Sequence, residues 1–307
     1  MTAPPSITIA AAIAQSLGQQ GAVVFTRHEL AQVVWRICQQ SHFNGQPLRP
    51  HKDALSRAAF NRHEATLLQQ GLIKPVPGLP QGAAYSLVGA SVADARVLAC
   101  AVDPFCYVSH LSAMEFHGLT DRMPEQLYVS SPATMRWREF AAARMQKDLG
   151  TELDAFLNAG LPAMQRTKIT KLAGRSVHLA SSLHLGAFRH IKDQHIRVST
   201  LGRTYLDMLH EPQLCGGLSH VLAVFKVHAP LHLRLILDEI DQHGSGIDKV
   251  RAGFILEDIC KITDARIDAW TAHAQRGGSR KLDARGDYSA TFSERWALSI
   301  NVPLGDE

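Results

Sequence analysis

The stretch from Val23 to Leu87 constrains the fold most, because its patterns follow in the order helix, helix and small hairpin. Thr26 is placed to cap the first helix, and Glu29, three residues later, completes a capping box. A polar helical run extends from His51 to Gly71, and two strand-like pieces, LIKPV and AAYSLV, follow with GLPQG between them. This order is typical of a winged helix-turn-helix, in which the second helix of the pair enters the major groove of DNA.

The positive charge of the chain is concentrated in the same region. Up to Ala90 the sequence holds seven Lys or Arg and three Asp or Glu, which accounts for the whole net charge of +4. The remaining residues hold 25 bases and 25 acids and are neutral. Such a distribution is the footprint expected of a phosphate-binding module, although a slightly basic globular domain would also carry it. We therefore expect the N-terminal region to bind double-stranded DNA.

Candidate DNA contacts lie mainly on the second helix. Arg57, Asn61 and Glu64 share one helix face, and Ser56 and Arg57 lie near enough to its start to reach base edges. Arg and Asn pair bidentately with guanine and adenine, whereas flanking cations suit phosphates, and the wing offers only Lys74. For any one residue the alternative is an ordinary solvated helix face. The predicted DNA-binding residues are Arg49, Lys52, Ser56, Arg57, Asn61, Arg62, His63 and Lys74.

The length of 307 residues favours two domains, and a composition of 46% hydrophobic and 20% charged residues is ordinary for a globular protein. The stretch Val88–Ser91 is the candidate boundary. The predicted domains are residues 1–90, a winged helix-turn-helix, and residues 91–307, a larger mixed α/β domain with a helical C-terminal portion. Within that portion Pro230 is predicted to separate two helices. The expected fold class is α/β, of the α+β kind.

The sequence favours a cytoplasmic protein. No apolar run approaches the ~20 residues that a membrane-spanning helix needs. The apolar N-terminus has no Lys or Arg before its apolar run, so a secretory signal is not expected. The five cysteines are odd in number, are scattered and contain no CxxC pair, which predicts free thiols in a reducing compartment. They are Cys38, Cys100, Cys106, Cys215 and Cys260.

A second set of basic residues follows in the larger domain. Its first part runs from Met135 to Lys147, where Trp137 and Phe140 lie between the cations, and its second part includes Arg166. One hypothesis is a single local patch that meets flanking DNA or an RNA handled by a toxin. The alternative is a normally solvated surface. The residues of this second basic patch are Arg136, Arg138, Arg144, Lys147, Lys168, Lys171 and Arg175.

The sequence offers no recognisable catalytic or metal-binding motif. HExxH is absent, and Pro230 is expected to keep His228 and His232 off a shared helix face. Gly244–Gly246 lacks the GxxxxGK[ST] pattern of a phosphate loop and is interpreted as a turn. Neither a GxSxG elbow nor a recognisable nucleophilic cysteine occurs. We therefore predict neither catalysis nor a cofactor nor a bound metal.

Several blocks in the larger domain resemble a known family. The segment Tyr107–Ser131 is similar to the signature of the AbiEi antitoxins of abortive-infection, or type IV, toxin–antitoxin systems. The resemblance continues in order at Val198–Val221, at Lys249–Glu257 and at SERWALSINV near the C-terminus. The sequence departs from the family pattern at Gly202, where an acidic residue is common, so an ion pair at that position is in doubt.

The resemblance implies an antitoxin that also binds its own promoter as a transcriptional autorepressor. The functional partner would be a nucleotidyltransferase-like toxin, without a stable complex between the two proteins. Monomers would bind cooperatively to inverted repeats in the promoter, and the biological role would be phage defence. Two alternatives remain open: a stand-alone winged-helix transcription factor with a ligand-sensing C-terminal domain, and an enzyme with a DNA-targeting head.

Overall fold

The structure, a computed structural model, describes residues 6–21, 23–50, 55–90, 93–182, 187–275 and 280–303. Its fold is of the mixed α+β class, as the sequence predicts. The chain divides into two compact units, Met1–Cys106 with Ser131–Leu183, and Tyr107–Ser130 with His184–Glu307. This division differs from the predicted boundary near residue 90, because the first unit continues beyond the wing and also takes in a later segment.

The first ninety residues contain the predicted helices and strands together with elements that the patterns do not reveal. In chain order the elements are α1 (Ile9–Gln19), β1 (Val24–Thr26), α2 (Arg27–Cys38), β2 (His42–Phe43), β3 (Gln46–Pro47), α3 (Arg57–Gln69), β4 (Ile73–Pro75) and β5 (Ala84–Leu87). The strands β1, β5 and β4 form an antiparallel sheet in that order. The predicted capping box is present, since the Thr26 N–H donates to Glu29 Oε2 at 2.7 Å and Thr26 accepts from the Glu29 N–H.

The remaining elements fill both units. The next group is α4 (Ala95–Val102), β6 (Tyr107–Val108), α5 (His110–Phe116), β7 (Leu127–Pro132), α6 (Thr134–Leu149), α7 (Leu153–Asn158), β8 (Lys171–Leu172), β9 (Arg175–Ser182), β10 (Phe188–Ile191) and β11 (Ile196–Ser199). The last group is α8 (Leu201–His210), α9 (Leu218–His243), α10 (Gly246–Phe254), a π-helical turn (Ile255–Ile259), α11 (Ala265–Ala269), β12 (Phe292–Ser293) and β13 (Leu298–Ser299).

Helix α7 belongs to the same hydrophobic core as α1, α2 and α3. Phe156 on α7 is fully buried, and its ring lies edge-on to His28 and Trp35 of α2, with ring centroids 5.7 and 5.8 Å away. The Trp35 indole N–H donates to Glu152 Oε2 at 2.7 Å, immediately before α7. The outer face of α2 is therefore covered by residues that lie more than a hundred positions later in the chain, so the first ninety residues leave part of this core open.

His28 is a second contact between α2 and the segment after α7. Its Nδ1 lies 2.8 Å from the carbonyl oxygen of Pro162, and its Nε2 lies 3.0 Å from the side-chain nitrogen of Gln32. A carbonyl can only accept, so Nδ1 carries the proton and Nε2 accepts from Gln32, as in a neutral imidazole. Burial lowers the pKa of His28, and the hydrogen bond to Pro162 opposes that effect only in part.

The second unit is built on a sheet and a helical core. Within it the strand order is β10-β11-β6-β7, with β11 parallel to β6 and the other pairs antiparallel. Helices α8 and α9 pack closely, and Gly202 of α8 makes this possible. A Cβ at Gly202 would lie 2.4 Å from the carbonyl oxygen of Leu235 on α9. An acidic side chain, common at this position in the AbiEi family, cannot fit there. Burial opposes the charge of Arg203, but the nearby carboxylate of Asp207 and, less strongly, that of Glu239 on α9 raise the pKa of Arg203 overall.

Helix α9 contradicts the prediction that Pro230 separates two helices. It runs through 26 residues with Pro230 inside it. A proline removes one hydrogen bond of the helix, but buried residues on both sides, among them Phe225 and Ile236, hold the two halves in the core. His228 and His232 therefore do lie four residues apart on one helix, contrary to the prediction. By length and apolar composition alone α9 is long enough to cross a membrane, a property shared by core helices of soluble proteins.

The first prediction tests whether α7 is part of the N-terminal core. Phe156→Ala should lower the free energy of unfolding by about 3–5 kcal/mol, because it leaves a cavity between His28 and Trp35. Leu157→Ala is the matched control, since Leu157 is 39% exposed and should cost well under about 1 kcal/mol. Both values come from urea denaturation followed by circular dichroism. Equal losses for the two variants would contradict the assignment of α7 to this core.

The second prediction concerns pH. The pKa of His28 is lower in the folded than in the unfolded protein, so its contribution to stability is complete above about pH 6.5. As the pH falls below that value the unfolded chain takes up the proton first, and stability decreases. The free energy of unfolding should therefore drop more between pH 7.5 and pH 5.5 in the natural protein than in His28→Gln. Other histidines affect both proteins alike. Parallel pH profiles would therefore show that His28 does not contribute to the pH dependence of stability.

Candidate nucleic-acid interface

Helix α3 has one buried and one exposed face. It begins after Ser56, whose hydroxyl accepts the Ala59 N–H at 3.3 Å, so this predicted contact residue also caps the helix. The buried face carries Phe60 and Leu67, which pack in the core of the first unit. The exposed face combines small residues with polar and basic ones at spacings of one and four residues, which keeps them on one stripe. This α3 face consists of Arg57, Ala58, Asn61, Arg62, Ala65 and Gln69.

Glu64 faces the core and does not belong to the α3 face. It is buried, and its carboxylate accepts from Arg27 Nε at 2.8 Å, from Arg27 Nη2 at 2.7 Å and from the Tyr85 hydroxyl at 2.7 Å. The hydrogen bonds that Arg27 donates to Glu64 raise the pKa of Arg27, and burial followed by the same carboxylate raises the pKa of Tyr85. The sequence contains a signal for this burial, because Glu64 lies at helical spacing between the apolar residues Phe60 and Leu67. A charged group on such a face needs a buried partner.

Asn61 is tied to this network from the exposed side. Its side-chain oxygen accepts from Arg27 Nη2 at 2.9 Å. An amide oxygen has two lone pairs and the amide nitrogen has two hydrogens, so Asn61 retains one acceptor position and both donors. The bidentate contact with adenine that the sequence predicts needs one acceptor and one donor. Arg27 therefore orients Asn61 without using up its capacity to read a base.

The other predicted contact residues lie around α3 with differing exposure. Arg49, Arg57, Arg62 and Lys74 are exposed, and Lys74 lies on β4 of the three-stranded sheet. His63 is half-buried, and its Nε2 lies 4.0 Å from the sulfur of Cys38. Burial raises the pKa of that thiol to about 11. Lys52 lies outside the described residues.

The residues of the second basic patch differ in their ion pairs and in their exposure. On α6, Arg136 and Arg144 form ion pairs with Glu139 and Asp148, while Arg138 and Lys147 are exposed. Trp137 lies in the core, and its indole N–H donates to buried Asp103 at 2.9 Å, so it does not lie among the cations. Lys171 is exposed and Arg175 is half-buried at the β8–β9 hairpin.

A basic cavity of about 530 Å³ joins residues from both predicted sets. It is formed by the starts of α2 and α3, the loop between β4 and β5, residues after α4 and the segment 160–168. Arg57 of the α3 face and Lys168 of the second basic patch both line it, together with Arg27 and Arg166. Arg27 and Arg57 lie more than a hundred residues before Arg166 and Lys168 in the sequence. The packing of α7 on α2 brings the two pairs together.

Gly160 lets the segment after α7 approach the start of α3. Its φ of +70° is a left-handed conformation, and a Cβ at this position would lie 3.4 Å from the Cβ of Arg57. A larger residue would therefore be strained and would press on Arg57. The aliphatic stem of Arg57 rests against this loop, and Arg57 both lines the basic cavity and belongs to the exposed α3 face.

Comparisons with known proteins show only distant structural similarity. Neither a family model nor a curated protein matches the chain. Among solved structures, the chain is similar to the crystal structure of the RV2827C protein from Mycobacterium tuberculosis, with a TM-score of 0.48 and 13% sequence identity. The alignment covers 94% of this chain and 90% of that one. A likeness at this level carries no argument about function.

The third prediction tests the buried network beneath the α3 face. Glu64→Gln should lower the free energy of unfolding by about 2–4 kcal/mol, because Arg27 then loses its anionic partner. Tyr85→Phe removes one neutral donor and keeps the ion pair, so it should cost only about 1 kcal/mol. Urea denaturation of the two variants measures the difference. A loss for Glu64→Gln no larger than that for Tyr85→Phe would mean that the ion pair contributes little.

Proposed function

We propose that this chain is an antitoxin of a type IV toxin–antitoxin system that binds its own promoter DNA and represses it. The observation that carries the DNA-binding half is the α3 face. On this face Arg57, Asn61 and Arg62 lie next to Ala58 and Ala65. The longer side chains could contact DNA bases or phosphates, and the alanines would let the helix come close to the DNA. The surrounding region carries the whole excess positive charge of the chain.

The arrangement around α3 supports a winged helix-turn-helix. Helix α2 precedes α3, and the strands β4 and β5 follow it as a hairpin that pairs with β1. The major groove is about 12 Å wide and admits one helix. In the proposal α3 enters the groove, Arg57 and Asn61 contact base edges, and Arg49, Arg62 and Lys74 contact phosphates. Such phosphate contacts set the position of the protein on the duplex, whereas base contacts set the sequence.

The antitoxin half depends on the resemblance of Tyr107–Ser131 and the later blocks to the AbiEi family. In this proposal the chain works in the cytoplasm as part of phage defence and is not an enzyme. Its functional partner is a nucleotidyltransferase-like toxin, which it neutralises without a stable complex. It is a monomer in solution, and two monomers bind cooperatively to inverted repeats on one duplex, a geometry in which half-site spacing follows the helical turn of DNA.

A stand-alone transcription factor that senses a small ligand is the second candidate function. The observation that favours it is the basic cavity, whose volume of about 530 Å³ lies within the range of small-molecule sites. The cavity lies in the first unit, so the sensing site would be there and not in the C-terminal domain. A neighbouring reading frame for a nucleotidyltransferase-like protein favours the antitoxin, and its absence favours this second function.

The fourth prediction is a separation of function. The double variant Arg57→Ala with Arg62→Ala should bind a promoter duplex roughly 10- to 100-fold more weakly, because base and phosphate contacts are both lost. Growth rescue on co-expression with the neighbouring toxin should be unchanged. Fluorescence anisotropy at several salt concentrations measures the first effect. Arg234→Ala is the matched control, since Arg234 is an exposed arginine of the second unit, with 88% of its side chain accessible.

Two outcomes would count against the proposal. Promoter affinity that is unchanged in the double variant, or equal for a scrambled duplex, would remove α3 as the reading helix. A natural chain that fails to rescue growth in the presence of the toxin would remove the antitoxin half and leave a DNA-binding regulator.

A further inference from the structure

We propose that the basic cavity binds a nucleoside phosphate and that its occupation weakens promoter binding. The binding site follows from the cavity itself. The regulatory half rests on the proposed function, because it requires that the α3 face binds DNA. The physical link between the two is Arg57, which belongs to both surfaces.

The charge in the cavity favours an anion. Four cationic side chains and one carboxylate line it. The carboxylate, Glu29, is already engaged in the capping box with Thr26. Arg27 is neutralised by Glu64, with which it forms an ion pair at 2.7 Å. Among the described residues Arg57, Arg166 and Lys168 have no ion-pair partner, so positive charge exceeds negative charge in the lining of the cavity.

The positions of these cations suit a phosphate group. The Arg166 guanidinium lies close enough to Thr134 for a hydrogen bond of 3.3 Å, which holds the arginine at the cavity wall and leaves its other donors available. Arg57 extends from the first residue of α3 on the other side, with its stem against Gly160. Arginine forks and a nearby lysine are the donors that recognise phosphate oxygens best.

The remaining wall of the cavity favours a ligand with an apolar, flat part. Val102, Pro104, Leu161 and Met164 form an apolar part of the lining. Inorganic phosphate or pyrophosphate would leave this wall uncovered, whereas the base of a nucleotide would cover it. A volume of about 530 Å³ fits a ligand of nucleotide size and is too small for a duplex. A nucleoside phosphate therefore uses both kinds of lining.

Competition for Arg57 would couple the two sites. A guanidinium that donates to a phosphate inside the cavity is withdrawn from the guanine contact that the proposed function gives it. Loss of one such bidentate contact is worth about 1–3 kcal/mol, so a saturating nucleotide should weaken promoter binding roughly tenfold. The effect should be absent where the nucleotide cannot bind.

The fifth prediction concerns nucleotide binding to the full-length protein. Titration with a fluorescent ADP carrying the N-methylanthraniloyl group should give saturable binding. Arg166→Gln with Lys168→Gln should weaken it roughly tenfold or more, because two charge-assisted contacts are lost. Lys226→Gln with Arg234→Gln is the matched control, since it removes the same charge from exposed positions on α9. Lys168→Gln alone, at an exposed site, provides a second variant if the double variant unfolds.

The competitors and the DNA arm separate the possible failures. Unlabelled ATP and GTP should displace the probe, and pyrophosphate should do so much more weakly. Pyrophosphate as effective as ATP would overturn the nucleoside part of the proposal.

Promoter anisotropy with and without saturating ATP then tests the regulation. Promoter binding without nucleotide binding would overturn this inference and leave the proposed function intact. Nucleotide binding without promoter binding would overturn the proposed function and the regulatory half, and would support the binding site.

Discussion

The ion pair between Arg27 and Glu64 determines how α3 is presented. Glu64 is buried on the inner side of α3 and is held by two nitrogens of Arg27 from α2 and by the Tyr85 hydroxyl from β5. A carboxylate removed from water in this way is tolerated only because its partners surround it, and rotation of α3 about its axis would break all three contacts. The same Arg27 holds Asn61 at the edge of the exposed face. One buried charge therefore fixes two helices, one strand and the direction in which the α3 face points.

The local elements of this region could be predicted from the sequence because each has a local cause. The capping box of Thr26 and Glu29 requires only a spacing of three residues, and the wing strands follow from Pro and Gly between short apolar runs. The sequence pattern correctly predicts that Glu64 and Asn61 lie on the same helix. Only long-range contacts show that Glu64 faces the core and that Asn61 lies on the exposed side. Spacing within one helix cannot reveal a partner that lies on another element.

Two differences between the sequence-based expectations and the structure share a physical origin. Pro230 lacks an N–H and normally ends a helix, yet α9 continues because burial of residues such as Phe225 and Ile236 outweighs one lost hydrogen bond. Likewise the boundary near residue 90 followed a Gly- and Ala-containing stretch, whereas the core is completed by Phe156 from a later segment. In both cases tertiary packing outweighs the preference of the local sequence. The packing energy comes from residues that are distant in the sequence, so a local pattern does not reveal it.

The late segment that completes the core also builds the cavity. Because α7 packs on α2, the chain after it passes Gly160 and lies along the start of α3, and Arg166 and Lys168 reach the same space as Arg57. Within the part of the chain that the structure describes, Arg57, Arg166 and Lys168 have no ion-pair partner, and the packing of α7 alone does not require this excess of positive charge. In the nucleotide-binding proposal, an anion in the cavity would balance this positive charge. Under the two proposals, a ligand in the cavity and a phosphate of the duplex would both contact Arg57 in the first turn of α3, so they would compete for the same positive charge.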